Sequence, residues 1–466
     1  MNTMMSGKVH KVRGMALILL ASSTGVALLV SGCGAPTKVT GTPVPAAQGE
    51  VRGGQQPVAG VNLQLYTANT SITGPTGYGS TSSTFGSSFT TTPYGHFNFP
   101  SLPSCPSSNA EVFLVGTGGT PIGGSANANL ALMAGLGPCS TFVSAITSPS
   151  YYLEMNELTT VATVWSLSGF MKGPTNIGAP TTNTTGLANA FAAINEVVNI
   201  GTGQVSGPTL PAGATLPVSE INALGNVLQN CINSAGGVAS DTSTPCGMLF
   251  SLTTTSSAPT DTITAAMNIA QHPSVNATLI NQQQSATPAF SPALNINATP
   301  TDWTIAINYT GGGLTNPQSL AVDASGNVWV TNPTGGATGT VTELTINNAT
   351  TTAPLYTLGT YTAGGTLNAP YGIAIDQNQT AWVTNSGNNT LTQITAGGAS
   401  SSTFSGNGLS TPEGIAIDGA DNVWVVNSAS GANSISGFTN AGVALTNSPY
   451  TGGGLSSPTS IAVNPK

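Results

Sequence analysis

The chain has 466 residues, of which 58 are glycine and 31 are proline, and charged residues make up 5% against roughly 25% in an ordinary soluble domain. Seven lysines and arginines face fifteen acids for a formal net charge of −8, and removal of a leader carrying Lys8, Lys11 and Arg13 would leave −11. So few cations cannot neutralise a row of phosphates or dock on anionic headgroups, which excludes a nucleic-acid partner and a polybasic membrane patch.

Lys8, Lys11 and Arg13 precede an apolar run over 15–30, and Val30-Ser31-Gly32-Cys33 follows at once. The run has about 16 residues, short of the roughly 20 that span a bilayer, and it stops at small residues, where a peptidase needs a narrow, extended substrate. A plain membrane anchor is the alternative. The pattern resembles bacterial lipoprotein precursors, and the resemblance implies that 1–32 is a signal peptide and that Cys33 is acylated and becomes the new N-terminus. Gly34 in place of an aspartate implies export onward to the outer membrane or cell surface, so the expected location is the cell envelope. Four cysteines then remain, an even number in an oxidising compartment, which suggests two disulfides. Three pairings are open; the polar, Gly-rich stretch 234–245 favours Cys231 with Cys246 and leaves Cys105 with Cys139.

Residues 33–48 read as a Pro/Thr/Ala tether, and 49–122 as short strands between Gly/Ser/Thr turns, hence a small β-sandwich with 80–92 as an enlarged loop. The stretch from Gly49 through Val61, then Tyr94-Gly95-His96-Phe97-Asn98-Phe99 and Leu102, resembles carboxypeptidase-regulatory or transthyretin-like modules. That resemblance implies a spacer or adhesion unit without an active site. Over 123–298 the apolar period moves from two toward 3.6, which predicts a helical domain. Leu158, Val161, Trp165, Leu167 and Met171 form one stripe, Leu187, Phe191, Ile194 and Val197 a second. Ile221, Leu224, Val227, Leu228 and Cys231 form a third behind Ser219 as N-cap, a fourth helix starts at Asp261, and 282–298 reads as a linker.

The last segment, 299–466, carries one pattern four times: Leu-x-x-Pro-x-x-[LI]-Ala-[VI]-[DN], with prolines at Pro317, Pro370, Pro412 and Pro458, spaced 53, 42 and 46. Three copies continue into a second strand around Trp329, Trp382 and Trp424. Periods of about 40 to 50 with several short strands each predict β-propeller blades. The motif resembles NHL-type propellers, including streptogramin-lyase-like ones, and is specific for fold only. The stretch 303–309 before Thr310-Gly-Gly-Gly-Leu314 matches 441–450 before Thr451-Gly-Gly-Gly-Leu455, so the region should open with a blade's outer strand and end with the inner strand of a fourth blade. Three blades and two odd strands fall short of a ring of roughly four to eight. Either the chain is truncated, or a second copy or a partner completes the arc, or the ring closes in an unusual form. The expected fold class is therefore multidomain and mainly β: a sandwich, a helical domain and an incomplete propeller.

Propeller lyases and lactonases of similar fold use a metal, or a histidine and carboxylates, near the central channel. The histidines here are His10, His96 and His272, none of them in the repeats, so no catalytic residue, metal ligand or cofactor site is assigned. Asp323, Asp376 and Asp418 read as turn caps, the three tryptophans as packing, and Glu154 and Glu157 as first-turn helix acids. The glycine runs 311–313 and 452–454 lack the lysine of a phosphate loop. The sequence reads best as a non-enzymatic, lipid-anchored binding or scaffold protein with a protein or glycan ligand. The alternative is a propeller lyase or hydrolase whose catalytic blades lie outside this chain.

Overall fold

The computed structural model describes residues 48–334, 339–346, 356–398 and 400–464. The expected signal segment, Cys33 and nearly all of the expected tether lie outside them. The described chain is mainly β, with several antiparallel sheets and, from residue 139 to 281, seven α-helices.

Strands β1 (Gln48–Gly53), β2 (Gln56–Ala59), β3 (Asn62–Thr67), β4 (His96–Asn98), β5 (Glu111–Thr117), β6 (Ala131–Pro138) and β7 (Tyr152–Met155) belong to two five-stranded sheets. In the first, β1 pairs antiparallel with β2 and β4 and parallel with β7. In the second, β3, β5 and β6 run antiparallel, and Ser83–Thr84 and Phe89–Thr90 pair with β3, so the expected loop over 80–92 supplies two short strands. The sheets meet closely: a Cβ added to Gly116 on β5 would lie 2.6 Å from Met155 Cε on β7.

The helical reading of 123–298 fails at β6 and β7, for a physical reason. β5 and β6 are buried on both faces, so their apolar residues run on without the alternation that marks a half-exposed strand. The first sheet covers one face and α3 (Thr184–Val197) the other, where Phe191 meets Phe113 at a ring distance of 6.5 Å. Helices α2 (Glu157–Leu167) and α6 (Thr262–Gln271) cover the free edge of β6. There the N–H groups of Ala131, Met133 and Gly135 donate to the hydroxyls of Thr262, Thr160 and Thr163 at 2.9, 3.0 and 3.0 Å. A sheet edge that would otherwise invite another strand is thereby closed by three threonines.

Helices α2 and α6 begin at side chains that cap them. Asn156 accepts from the N–H groups of Leu158 and Thr159 while Thr159 Oγ1 accepts from Asn156 N, a reciprocal box that starts α2. Asp261 caps α6 through Thr264 N at 2.8 Å. Helix α4 (Val218–Ile232) starts one residue before the expected cap, so Ser219 lies within its first turn. Residues 282–298 are not a free linker: Asn226 on α4 accepts from Phe290 N and donates to Phe290 O, and buried Phe290 joins the core. One continuous apolar core runs from Val51 to Trp303 through both sheets and the helices.

Beyond residue 314 the chain folds into three four-stranded antiparallel sheets, each in chain order. They are β8 (Ser319–Val322), β9 (Val328–Asn332), β10 (Thr340–Ile346) and β11 (Tyr356–Tyr361); β12 (Pro370–Ile375), β13 (Ala381–Asn385), β14 (Thr390–Ile394) and β15 (Ser401–Ser405); and β16 (Pro412–Ile417), β17 (Val423–Asn427), β18 (Ser434–Phe438) and β19 (Tyr450–Thr451). Consecutive sheets are tied by a threonine: Thr331 Oγ1 donates to Tyr371 O and Thr384 Oγ1 to Glu413 O, both at 2.7 Å. The third sheet carries Val426 at that position.

The region does not open as the repeat predicts. Trp303 is buried in the core of the preceding layers, and Asn308–Tyr309 pairs with Ala214–Thr215 rather than with a repeat sheet. Among the described residues, 455–464 enter no ladder, although they run against β16: a Cβ on Gly414 would lie 2.6 Å from Thr459 O. The three sheets do not close into a ring among the described residues.

Candidate functional site

The aspartates and tryptophans that recur in the three sheets are consumed by one local device. In the first sheet Asp323 Oδ1 accepts from the N–H groups of Ser325 and Asn327, both at 2.9 Å, and Oδ2 accepts from Trp329 Nε1 at 3.2 Å. Asp376 does the same for Asn378, Thr380 and Trp382, and Asp418 for Ala420, Asn422 and Trp424, with indole distances of 3.0 and 2.8 Å. Each aspartate closes the turn between two strands and orients the indole six residues on. The indole then packs on an aromatic ring of the fourth strand: Trp329 on Tyr361, Trp382 on Phe404 and Trp424 on Tyr450, at 5.6, 5.5 and 5.6 Å. Burial is the largest single effect on Asp418 and raises it, but the hydrogen bonds from Trp424, Asn422 and Ala420 together outweigh burial and hold the carboxylate below the usual range. The turn-capping role read from the sequence is thus present. The link to tryptophan was legible in the constant Asp-x-x-x-x-x-Trp spacing but not drawn from it.

The first strands of the three sheets border a cleft of about 200 Å³, lined by Ser319, Tyr371, Ile373, Ile415, Ser460 and Ile461 among others. Among the described residues no side chain in its lining carries a charge. Its floor is backbone, since Gly372 leaves no room for a Cβ, which would lie 2.3 Å from Glu413 O. Such a surface offers hydrogen-bonding groups, the Tyr371 phenol among them, and small apolar faces.

Of the two acids expected in a helix's first turn, Glu157 sits there and Glu154 does not. Glu154 is on β7, not on a helix, because α2 starts only after Asn156. It stands 3.9 Å from Arg52, which also pairs with Glu50 at 3.1 Å, and Tyr152 donates to Glu50 at 3.1 Å. Burial raises Glu154 above the ordinary carboxylate range. Glu157 does open α2, but its carboxylate faces the interior and accepts from Gly54 N at 2.8 and 2.9 Å; complete burial pushes it up to about 8. These groups pin β7 and α2 to the turn between β1 and β2, and a single arginine serves two carboxylates there.

The four cysteines among the described residues stand as two disulfides, Cys105–Cys139 and Cys231–Cys246. The first ties the segment before β5 to the start of the short helix α1 (Cys139–Ala145), and the second joins α4 to α5 (Pro245–Leu252). Such bonds fit an extracellular or periplasmic environment. Among the described residues no helix is long and apolar enough to cross a membrane, and no three His, Cys, Asp or Glu side chains group as metal ligands. His96 lies 3.8 Å from Glu50 on an exposed strand and His272 closes α6, so neither histidine reaches the repeat sheets.

No protein-family model matches the chain, and no curated protein matches it in sequence. Among solved structures, virginiamycin B lyase from Staphylococcus aureus is 18% identical over 31% of this chain and 45% of its own, with a TM-score of 0.25. A streptogramin B lyase is 18% identical over 34% and 47%, with a TM-score of 0.26. Kuenenia stuttgartiensis hydrazine synthase is 14% identical over 33% and 42%, also with a TM-score of 0.26. The chain spans less than half the length of each of these proteins.

Proposed function

We propose that this chain is an exported, cell-envelope protein held to a membrane by a lipid on Cys33, and that its three repeat sheets act as an NHL-type propeller arc that binds a protein or glycan without catalysis. The observation that carries the reading is the convergence of three first strands on one uncharged cleft, while the recurring aspartates and tryptophans are spent inside the sheets. A surface of hydrogen-bond donors, acceptors and small apolar faces suits a neutral glycan or a polar peptide. The layers over 49–298 then serve as the stalk, with a carboxypeptidase-regulatory-like module at the membrane-proximal end. The two disulfides support an oxidising compartment.

Two measurements test the reading. Protein extracted from a bacterial membrane should have an intact mass beginning at diacylated Cys33, and Cys33→Ala should release it into the soluble fraction; an unprocessed mass would remove the anchor. Immobilised mature protein should capture ligands from a glycan array or an envelope-protein panel, and Tyr371→Ala in the cleft should weaken capture at least tenfold with little change in the unfolding midpoint. Equal capture by the variant would take the cleft out of the proposal.

A further inference from the structure

A second cavity, apart from the repeat cleft, lies where β5, α3 and the first repeat sheet meet. It measures about 360 Å³ and is lined by Asn109, Glu111, Thr185, Asn189, Ser325 and Ile346, with Pro138 and Ala188 completing the wall. Among the described residues Glu111 is the one ionisable group in that lining, and it is only 4% exposed. Strand alternation puts it on the same face of β5 as Phe113, whose ring meets Phe191 of α3, so its side chain is directed at the helix that forms the opposite wall. Glu111 Oε2 is buried and has no hydrogen-bond partner among the described residues.

An unpaired buried carboxyl is costly, and proteins ordinarily give it a cation or several donors. This chain has almost no cation to give. Among the described residues the lysines and arginines are Arg52, engaged with Glu50, and Lys172 on the short strand Met171–Gly173, and neither lines the cavity. Burial without a counter-charge pushes Glu111 up to about 8.

We infer that this cavity is a binding site for an organic cation, a primary ammonium or guanidinium group, which enters from solution and pairs with the unpartnered Glu111 carboxyl. Asn109, Asn189 and Ser325 supply side-chain oxygens for the remaining N–H donors, and Ile346, Ala188 and Pro138 cover the alkyl stem. At about 30 Å³ for each water displaced, the cavity has room for a butylammonium-sized or agmatine-sized group. The cation arrives either as a free amine or as a lysine or arginine side chain of another protein.

Calorimetric titration of the mature protein tests this with n-butylammonium, n-butanol and butyrate, which share a stem and differ in head group. The expected result is that butylammonium binds at least tenfold tighter than either of the others. Glu111→Gln should abolish that preference, and Ala188→Leu, which fills the cavity from α3 and leaves the carboxyl in place, should weaken the ammonium by a similar factor. Equal binding of butanol, tighter binding of butyrate, or unchanged ammonium binding by either folded variant would overturn the assignment. Agmatine and a short Gly-Gly-Lys-Gly-Gly peptide then distinguish the two sources. A tighter peptide supports a protein side chain, tighter agmatine supports a free amine, and failure of both overturns the site.

Discussion

The layers over 48–309 and the three sheets that follow solve the same problem in opposite ways. The first part buries two sheets and its helices around one continuous apolar core, in which residues a hundred positions apart complete each other's hydrogen bonds, as Gly54 and Glu157 do. The second part divides its interior into small clusters between neighbouring sheets, one around Trp329 and Ile373 and the next around Trp382 and Phe438. Cohesion in the first part is global; in the second it is passed from neighbour to neighbour, as in other repeat arrays.

The sharpest way to break this contrast is a cavity in the shared core. Leu114→Ala, at a fully buried position on β5, should cost about 2–5 kcal/mol and lower the urea midpoint of the whole layered part at once. Loss confined to β5 on hydrogen exchange would mean that the core is not one unit. Acid carboxyls come next. Glu111 and Glu157 are raised to about 8 in the folded chain from an ordinary value of 4.5, so their contribution is complete below pH 4.5 and is lost as pH rises toward 8. Stability should therefore fall between pH 5 and pH 8, and Glu157→Gln should flatten the curve. A midpoint that rises over that interval would contradict the burial of both groups.

In the repeat sheets the effects should be smaller and local. Trp382→Phe removes the indole bond to Asp376 and should cost about 1–3 kcal/mol, with faster amide exchange in β12 to β15 and little change in β1 to β7. Thr384→Val copies the third sheet's Val426 and deletes the tie to Glu413 O; about 1 kcal/mol is expected, felt at the boundary between the second and third sheets. The smallest effect should come from salt. With charged residues at 5%, few surface pairs exist to be screened, so midpoints in roughly 0.05 M and 1 M sodium chloride should nearly coincide.

The same contrast explains what could be read from the sequence. The repeat sheets were legible because each is built from contiguous residues and written three times, so the proline, aspartate and tryptophan positions mark strands and turns in every copy. Residues 303–309 misled because their likeness to 441–450 is local, whereas their pairing with Ala214–Thr215 depends on a helical layer that no repeat encodes. In the layered part the helices carrying Val161, Phe191 and Leu228 showed through their period. β6 did not, since a strand covered on both faces has no polar side to betray it. The cavity at Glu111 was illegible for a similar reason: its walls come from five separate stretches, and nothing near residue 111 signals that a helix from 184 onward will face it.

The scarcity of cations, which leaves Arg52 and Lys172 as the basic side chains other than histidine among the described residues, also decides how the protein meets proteases. No lysine or arginine occurs between Lys172 and Lys466. An enzyme that cuts after basic residues therefore finds no site across most of the helical layer and the three repeat sheets, even in the unfolded chain, and the two sites among the described residues, at Arg52 and Lys172, sit in paired strands. Digestion with trypsin should leave everything beyond residue 172 as one long peptide, whereas chymotrypsin, which cuts beside Trp382 and Phe404, can be used to follow the sheets as they open.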